Sequence, residues 1–336
     1  MQKDFHYYVI RILSEKAGFK PEEAQIIAYA SQFVDDATEH KPIELPQNYK
    51  IEHPRLSGQI FDPVCTAHKG LQFLNDFRKE VQMKIYMSFH FLPAEIYTNQ
   101  EDYNYVTKPN SFFAKKLIEN VKEKFHNNDK NITYNLVALG IAIHTFADTW
   151  AHQNFSGRNN IENGIKRIKT WNIGKWKYIG AINQFRNNLL PQIGHAEAYS
   201  LPDLPYETWK FKSEKDNTSQ IRHNLDIYIE AAEEIYKVFL DITKKENIWN
   251  QFSDRLIYCL SYINDSLKKR KTKYKKYFPE IGFYYNEKEW KNEIFKTKFP
   301  YKSLKIKKKE IELKWLYFHQ AAFEQRNFIL GNIKPL

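Results

Sequence analysis

The apolar stretch IAIHTFADTWAHQNFSG, Ile141 to Gly157, contains His144, Asp148 and His152, three residues of the types that hold transition metals. Imidazole nitrogen and carboxylate oxygen bind zinc at about 2.0–2.2 Å. Each four-residue step advances about 40° around an α-helix, so the three side chains form one slanting row about 12 Å long and can face one cavity. Burying such groups unpaired among Ile141, Ile143, Phe146, Trp150 and Phe155 would be unfavourable. That cost favours a shared cation over three separately satisfied core residues. The outer members lie too far apart to share one ion, so further ligands must come from elsewhere in the chain.

The elements that must supply them can be read from the pattern of apolar residues. Phe5, Tyr8, Val9, Ile12 and Leu13 predict a helix over Asp4 to Ala17, with His6 at its start. Pro21, Glu22 and Glu23 open a second helix running to about Glu39, with Asp35 and Asp36 near its end. Carboxylates are disfavoured at a helix C-terminus, which points to a cationic partner. Lys41 to Phe61, broken by prolines, reads as a loop with short strands, and TAHKGLQFLNDF as a helix with His68 near its beginning. IYMSFHFLP, Ile85 to Pro93, reads as a β-rich run around His90.

Further helices are expected over Ser111 to Lys124, over Asn135 to Asn154 as the central helix, and up to Leu190. His195, Glu197 and Asp203 fall in an irregular stretch, Gly194 to Trp209, and loops often carry functional groups. Amphipathic helices follow over Thr218 to Lys244, Trp249 to Lys271 and Ile311 to Leu330. The expected fold class is mainly α: one multi-helix domain over residues 1–336 with short β or loop excursions.

With 336 residues, the chain is long enough to bury a large core. It contains no run of apolar residues long enough to span a bilayer, and charges at Lys3, Asp4, Arg11, Glu15 and Lys16 do not fit an export signal, so a cytoplasmic location is the default expectation. Cys65 and Cys259 offer neither a disulfide framework nor a cysteine-based zinc pattern. From Lys268 to Lys314 there are 17 Lys or Arg against 6 Asp or Glu, which accounts for the whole formal charge of +11. Within it KKRKTKYKKYF interleaves cations with Tyr274, Tyr277 and Phe278, as a surface for nucleic acid or an anionic membrane would. A solvated, lysine-rich excursion has the same composition.

HTFADTWAH, preceded by a histidine on a first helix and an aspartate on a second, resembles the zinc-dependent phospholipases C and the fungal zinc single-strand nucleases. Those are mostly helical phosphodiester hydrolases with three zinc ions. The resemblance implies as ligands His6, Asp35 or Asp36, His68 or His90, His144, Asp148, His152, His195, and Glu197 or Asp203. The chain departs from the pattern in two places. His152 follows Asp148 by only four residues, and Met1 and four further residues precede His6, which leaves the terminal amine outside the expected set. DFHYYVI, IAYASQFVDDAT, FHFLP, GHAEAYSLPDLPY and FHQAAFEQRNFIL together resemble a bacterial family of unknown function over nearly the whole chain.

The chemistry implied is hydrolysis of a phosphodiester, such as a phospholipid or nucleic acid, at two or three zinc ions bridged by Asp148. Asp36 would orient a ligand or act as general base, and Asp148 would carry the reactive centre. Three alternatives use the same residues differently. The cluster could staple a helical protein without catalysis, the segment 268–314 could be a polyanion-binding module, or the site could belong to an HD-type phosphohydrolase. The last needs an adjacent His-Asp pair, which the sequence lacks.

Overall fold

The computed structural model describes residues 1–45, 54–69, 75–126, 131–179, 192–295 and 313–336. About 53% of the chain is helical, and the described residues also form two small antiparallel sheets. The class is therefore mixed α and β, a correction to the mainly α expectation.

At the centre is α5, Ile132–Ala151, in which every residue from Thr133 onward is buried. Its first turn is closed by Asn131, whose side chain accepts from the Thr133 N–H at 2.7 Å. Around it pack α2 (Pro21–Asp36), α4 (Phe112–His126), α6 (Asn224–Thr243) and α10 (Lys314–Leu330). The α2 contact is intimate because α5 carries Gly140 there. A Cβ on Gly140 would meet the Ile27 carbonyl oxygen and would lie 2.6 Å from the Ala30 Cβ. This close approach sets the end of α2, with Asp35, beside the His144 turn of α5.

Two π-helical segments flank this pair. Asp4–Val9 leads into α1 (Ile10–Lys16), and Gln82–His90 follows the short α3 (Lys79–Val81). The second replaces the strand expected over Ile85 to Pro93. Ile85, Met87, Ser88, Phe89 and His90 are buried with only Tyr86 half-buried among them, and so nearly unbroken an apolar run has no alternation to separate strand from helix. π-Helical turns are uncommon and concentrate at functional sites. Here one carries His6 and the other ends on His90.

A three-stranded sheet joins β1 (Ile43–Glu44), β2 (Leu56–Ser57) and β3 (Ile60–Phe61) in the order β1-β3-β2. The larger sheet runs β5-β4-β6-β7, from β4 (Ile165–Asn172), β5 (Lys175–Tyr178), β6 (Thr208–Ser213) and β7 (Ser219–His223). β4 and β5 form a hairpin whose turn places Ile173 at φ 46° and Gly174 at φ 72°, the left-handed backbone that two-residue hairpins use. Thr218 to His223, expected as helix, belongs to β7 and the turn before it, and α6 begins only at Asn224. The helix expected over Trp249 to Lys271 is two: α7 (Trp249–Leu260) and α8 (Leu267–Tyr277), parted where the Asn264 side chain accepts from the Ser266 N–H at 3.0 Å.

A small core of Phe91, Phe155, Ile165, Trp209 and Phe211 holds the larger sheet against the main body and fixes the segment between β5 and β6 that carries His195 and Asp203. The expected helix up to Leu190 falls largely on 180–191, the expected TAHKGLQFLNDF helix partly on 70–74, and the start of the last helix on 311–312, all outside the described residues. The basic segment lies partly outside as well, over 296–312. Its described part joins the core: Arg270 is buried and paired with Asp4 at 2.7 Å, and Trp290 of α9 (Glu289–Phe295) stacks on Tyr29 with ring centroids 4.0 Å apart.

Candidate metal centre

The histidine and aspartate side chains that could hold ions converge in three groups among the described residues: His6, His144 and Asp148; Asp35, His90 and His144; and His152, His195 and Asp203. The groups are linked. Asp148 turns Oδ1 to His6 Nε2 at 3.1 Å and Oδ2 to His90 Nδ1 and His144 Nε2, both at 3.3 Å. Asp203 places Oδ1 3.4 Å from His152 Nε2 and Oδ2 3.5 Å from His195 Nε2. The α-amino nitrogen of Met1 lies between the two carboxylates, 2.7 Å from Asp148 Oδ1 and 3.2 Å from Asp203 Oδ1. Residues 2–5 separate that amine from His6 in sequence, so it falls outside the ligand set expected from the sequence. In the fold its nitrogen and His6 Nε2 nonetheless approach the same oxygen of Asp148.

Four backbone carbonyls set the orientation of the imidazoles. His90 Nε2 donates to Thr66 O at 2.9 Å, His144 Nδ1 to Ser31 O at 2.8 Å, His152 Nδ1 to His90 O at 2.7 Å and His195 Nδ1 to Tyr199 O at 2.9 Å. A carbonyl oxygen only accepts, so each of these nitrogens carries the ring proton. The opposite nitrogens, all aimed into the cluster, are bare in the neutral rings. His90 Nδ1 and His144 Nε2 then face each other at 3.2 Å with Asp148 Oδ2 beside both. Acceptors facing acceptors at this distance repel unless a cation lies among them.

The spacing matches one. Ligands about 2.0–2.2 Å from a tetrahedral zinc stand about 3.3–3.6 Å from one another. The cage of His90, His144, Asp148 and Asp35 has separations of 3.2, 3.3, 3.3 and 3.8 Å. The donor set of neutral imidazole and carboxylate also fits zinc.

The titration behaviour agrees with this arrangement. Burial and the neighbouring His144 push His6 down to about 4, and burial pushes His195 down to about 4, so both are neutral near pH 7. Burial opposes ionisation of Asp148 and Asp203, but surrounding positive charge outweighs it and holds both well below the usual carboxylate range. Burial likewise disfavours the Met1 ammonium, yet Asp148, Asp203 and Asp35 hold its pKa up at about 11. For His90, burial lowers the pKa, but the Asp148 carboxylate outweighs it and the net direction is up.

The cluster forms one wall of a cavity of about 440 Å³, which Lys3, His68, Lys69 and Tyr86 also line. Of the residues singled out from the sequence, His6, Asp35, His90, His144, Asp148, His152 and His195 lie in the three groups. His68 lies in none of them. Its Nδ1 pairs with Asp76 Oδ1 at 2.6 Å while it lines the cavity. Asp36 is also outside them, and its oxygens receive Lys69 Nζ at 2.6 Å, the Tyr285 hydroxyl at 2.6 Å and Lys3 Nζ at 3.4 Å. Between Glu197 and Asp203 the structure separates the roles. Glu197 accepts from the Ile165 N–H at 2.6 Å and from Gln192 at 3.0 Å, and Asp203 enters the cluster.

Residues 1–333 match the profile of a family of unknown function (DUF6765). The chain belongs to that family. No curated protein and no solved structure matches it. The family match carries no link to phospholipases C or to nucleases. Among the described residues no helix is long and apolar enough to cross a membrane.

Proposed function

We propose that this protein is a zinc-dependent phosphoester hydrolase acting on a phosphodiester such as a phospholipid or a nucleic acid, with a fold akin to that of the zinc-dependent phospholipases C. One observation carries the reading: bare imidazole nitrogens and carboxylate oxygens, oriented from behind by carbonyls, face one another at zinc-cage separations along one cavity wall. A structural staple would need no cavity, and here the cluster lines one.

In this reading His90, His144 and Asp35 would hold one ion and His152, His195 and Asp203 a second, and His6, His144 and Asp148 would offer the ligands for a third. Bound zinc supplies Lewis acidity towards a phosphoryl oxygen and makes water nucleophilic near neutral pH. The residues around it do the rest. Lys3 and Lys69 line the cavity on the Asp36 side, where their ammonium groups meet the charge of an entering phosphodiester. Asp36 positions these two lysines and is a positioning residue, not a ligand. Tyr86, held by Asp76 at 2.7 Å, narrows the same cavity.

Elemental mass spectrometry on protein purified without added metal or a histidine tag tests the centre, and hydrolysis of bis(p-nitrophenyl) phosphate before and after chelation tests the chemistry. Two or three zinc equivalents with chelator-sensitive turnover are expected. Full metal content with no turnover on any phosphodiester or phospholipid would leave the staple and end the hydrolase reading. No metal after reconstitution would end both.

A further inference from the structure

A second cavity, of about 410 Å³, opens on the other side of His68, the residue that lines it together with the metal-centre cavity. Its charged lining is Arg55, Arg78, Lys84 and Arg326 against Asp62 and Glu80. Both acids are already engaged. Asp62 pairs with Arg55, whose Nε donates to the Asp62 carbonyl at 2.5 Å, and Glu80 pairs with Lys84. That leaves the guanidinium groups of Arg78 and Arg326, which form no ion pair among the described residues.

Arg326 is the more telling of the two. Its Nε is buried without a hydrogen-bond partner among the described residues. Its guanidinium lies 5.4 Å from the Phe323 ring centroid, and the Arg55 guanidinium lies 4.7 Å from the same centroid, so two like charges share one aromatic ring. Burial and Arg55 work against its charge, while Asp62 and Glu80, each already paired with another cation, favour it from a distance. A half-buried guanidinium with a buried, unpartnered Nε, no ion pair of its own among the described residues and a second cation beside it gains from an anion that completes it. Guanidinium presents a fork of N–H donors matched to tetrahedral or planar oxyanions.

We propose that this cavity is an oxyanion subsite that binds a phosphate group, with Arg326 and Arg78 as its donors. Its volume lies within the range of small-molecule pockets and exceeds what a phosphate alone requires, so the ligand is a phosphate monoester whose organic part occupies the remainder. The subsite stands on its own geometry. That it would receive the distal phosphate of a molecule cleaved beyond His68 rests on the hydrolase reading above.

The test is calorimetric titration of inorganic phosphate, and separately of glycerol 3-phosphate, into the protein as purified and into Asp148→Asn, Arg326→Gln and Arg78→Gln. The expected result is binding that survives Asp148→Asn and weakens at least fivefold in both arginine variants. Tighter binding of glycerol 3-phosphate than of inorganic phosphate is expected, and equal affinity for the two would overturn the monoester assignment. Arg78 is exposed, so its variant decides the matter if Arg326→Gln folds poorly. Binding lost in Asp148→Asn and unchanged in the arginine variants would place phosphate on the metal centre and overturn the proposal. Absence of binding in the unmodified protein would overturn it too. Zinc content measured on the same samples reads the metal centre independently of phosphate binding, so failure here and failure of the metal centre are distinguished.

Discussion

Replacing Asp148 by asparagine keeps the side-chain shape and removes the charge on which the centre converges. In the unmodified protein this carboxylate, 1% exposed, approaches the Met1 amine at 2.7 Å, His6 at 3.1 Å and both His90 and His144 at 3.3 Å. Four-ligand structural zinc sites bind with about 10–16 kcal/mol, or roughly 3–4 kcal/mol per ligand. Loss of one ligand thus corresponds to an affinity about 10²–10³-fold weaker. Because Asp148 belongs to the His6 group and its other oxygen also lies 3.3 Å from His90 and His144 of the Asp35 group, two ions are expected to weaken together. The metal-free protein should be affected as well. Removing one member of a buried ion pair costs about 3–5 kcal/mol. Asp203, 3.2 Å from the same ammonium, offsets part of that. For a chain of this length such a loss lowers the melting temperature by on the order of 5 °C. Elemental mass spectrometry, with calorimetry in the presence and absence of chelator, reads both effects. An Asp148→Asn protein with full zinc content and undiminished affinity would refute the assignment of Asp148 as the shared ligand.

Asp36→Asn should retain full metal content, since Asp36 holds Lys3 and Lys69 and not the cluster, while KM for an anionic phosphodiester rises severalfold; loss of metal would make Asp36 a ligand. Gly140→Ala should destabilise the protein by about 1–3 kcal/mol, the usual cost of overpacking, despite the better helix propensity of alanine. The new methyl would press on Ala30 and on the Ser31 nitrogen at 3.1 Å, next to the carbonyl that orients His144, so zinc occupancy should fall with stability. A rise in melting temperature would show that the two helices do not meet as described. Burial pushes the Cys259 thiol up to about 12 from an ordinary value of 9.0. Above pH 9 the unfolded chain therefore loses a proton that the folded one keeps, and stability falls as pH rises from about 9 to 12, by about 4 kcal/mol for this group. Chemical denaturation of Cys259→Ala across that range should show a shallower alkaline decline, and an identical decline would contradict it.

The part of the centre legible in the sequence is the part whose geometry one helix dictates. His144, Asp148 and His152 share a face because of helical pitch, and α5 is so continuously apolar that its burial could be read directly. His6 and Asp35 are legible as helix-borne groups, but the meeting of Asp35 with α5 depends on Gly140, whose missing side chain lets α2 approach, and single-residue packing of that kind leaves no periodic trace. His90 is legible as a candidate residue but not as part of a helix, because Ile85 to Leu92 is apolar almost without interruption and has neither the alternation of a strand nor the one-sided stripe of a surface helix.

Choosing between Glu197 and Asp203 required tertiary structure. Both follow His195 in an irregular segment, and only the packing of Trp209 and Phe211 against Phe91 and Phe155 decides which carboxylate turns inward. The larger sheet escaped detection for a related reason. β4 and β5 are solvated ribbons rich in lysine and tryptophan, with weak alternation and a hairpin turn, Ile173-Gly174, that is not one of the strong turn dipeptides. That sheet is nonetheless what holds His195 and Asp203 against His152. The centre thus depends on both layers: α5 lines up one row of ligands, and the elements packed around it supply the carbonyls and carboxylates that turn a row into a cage.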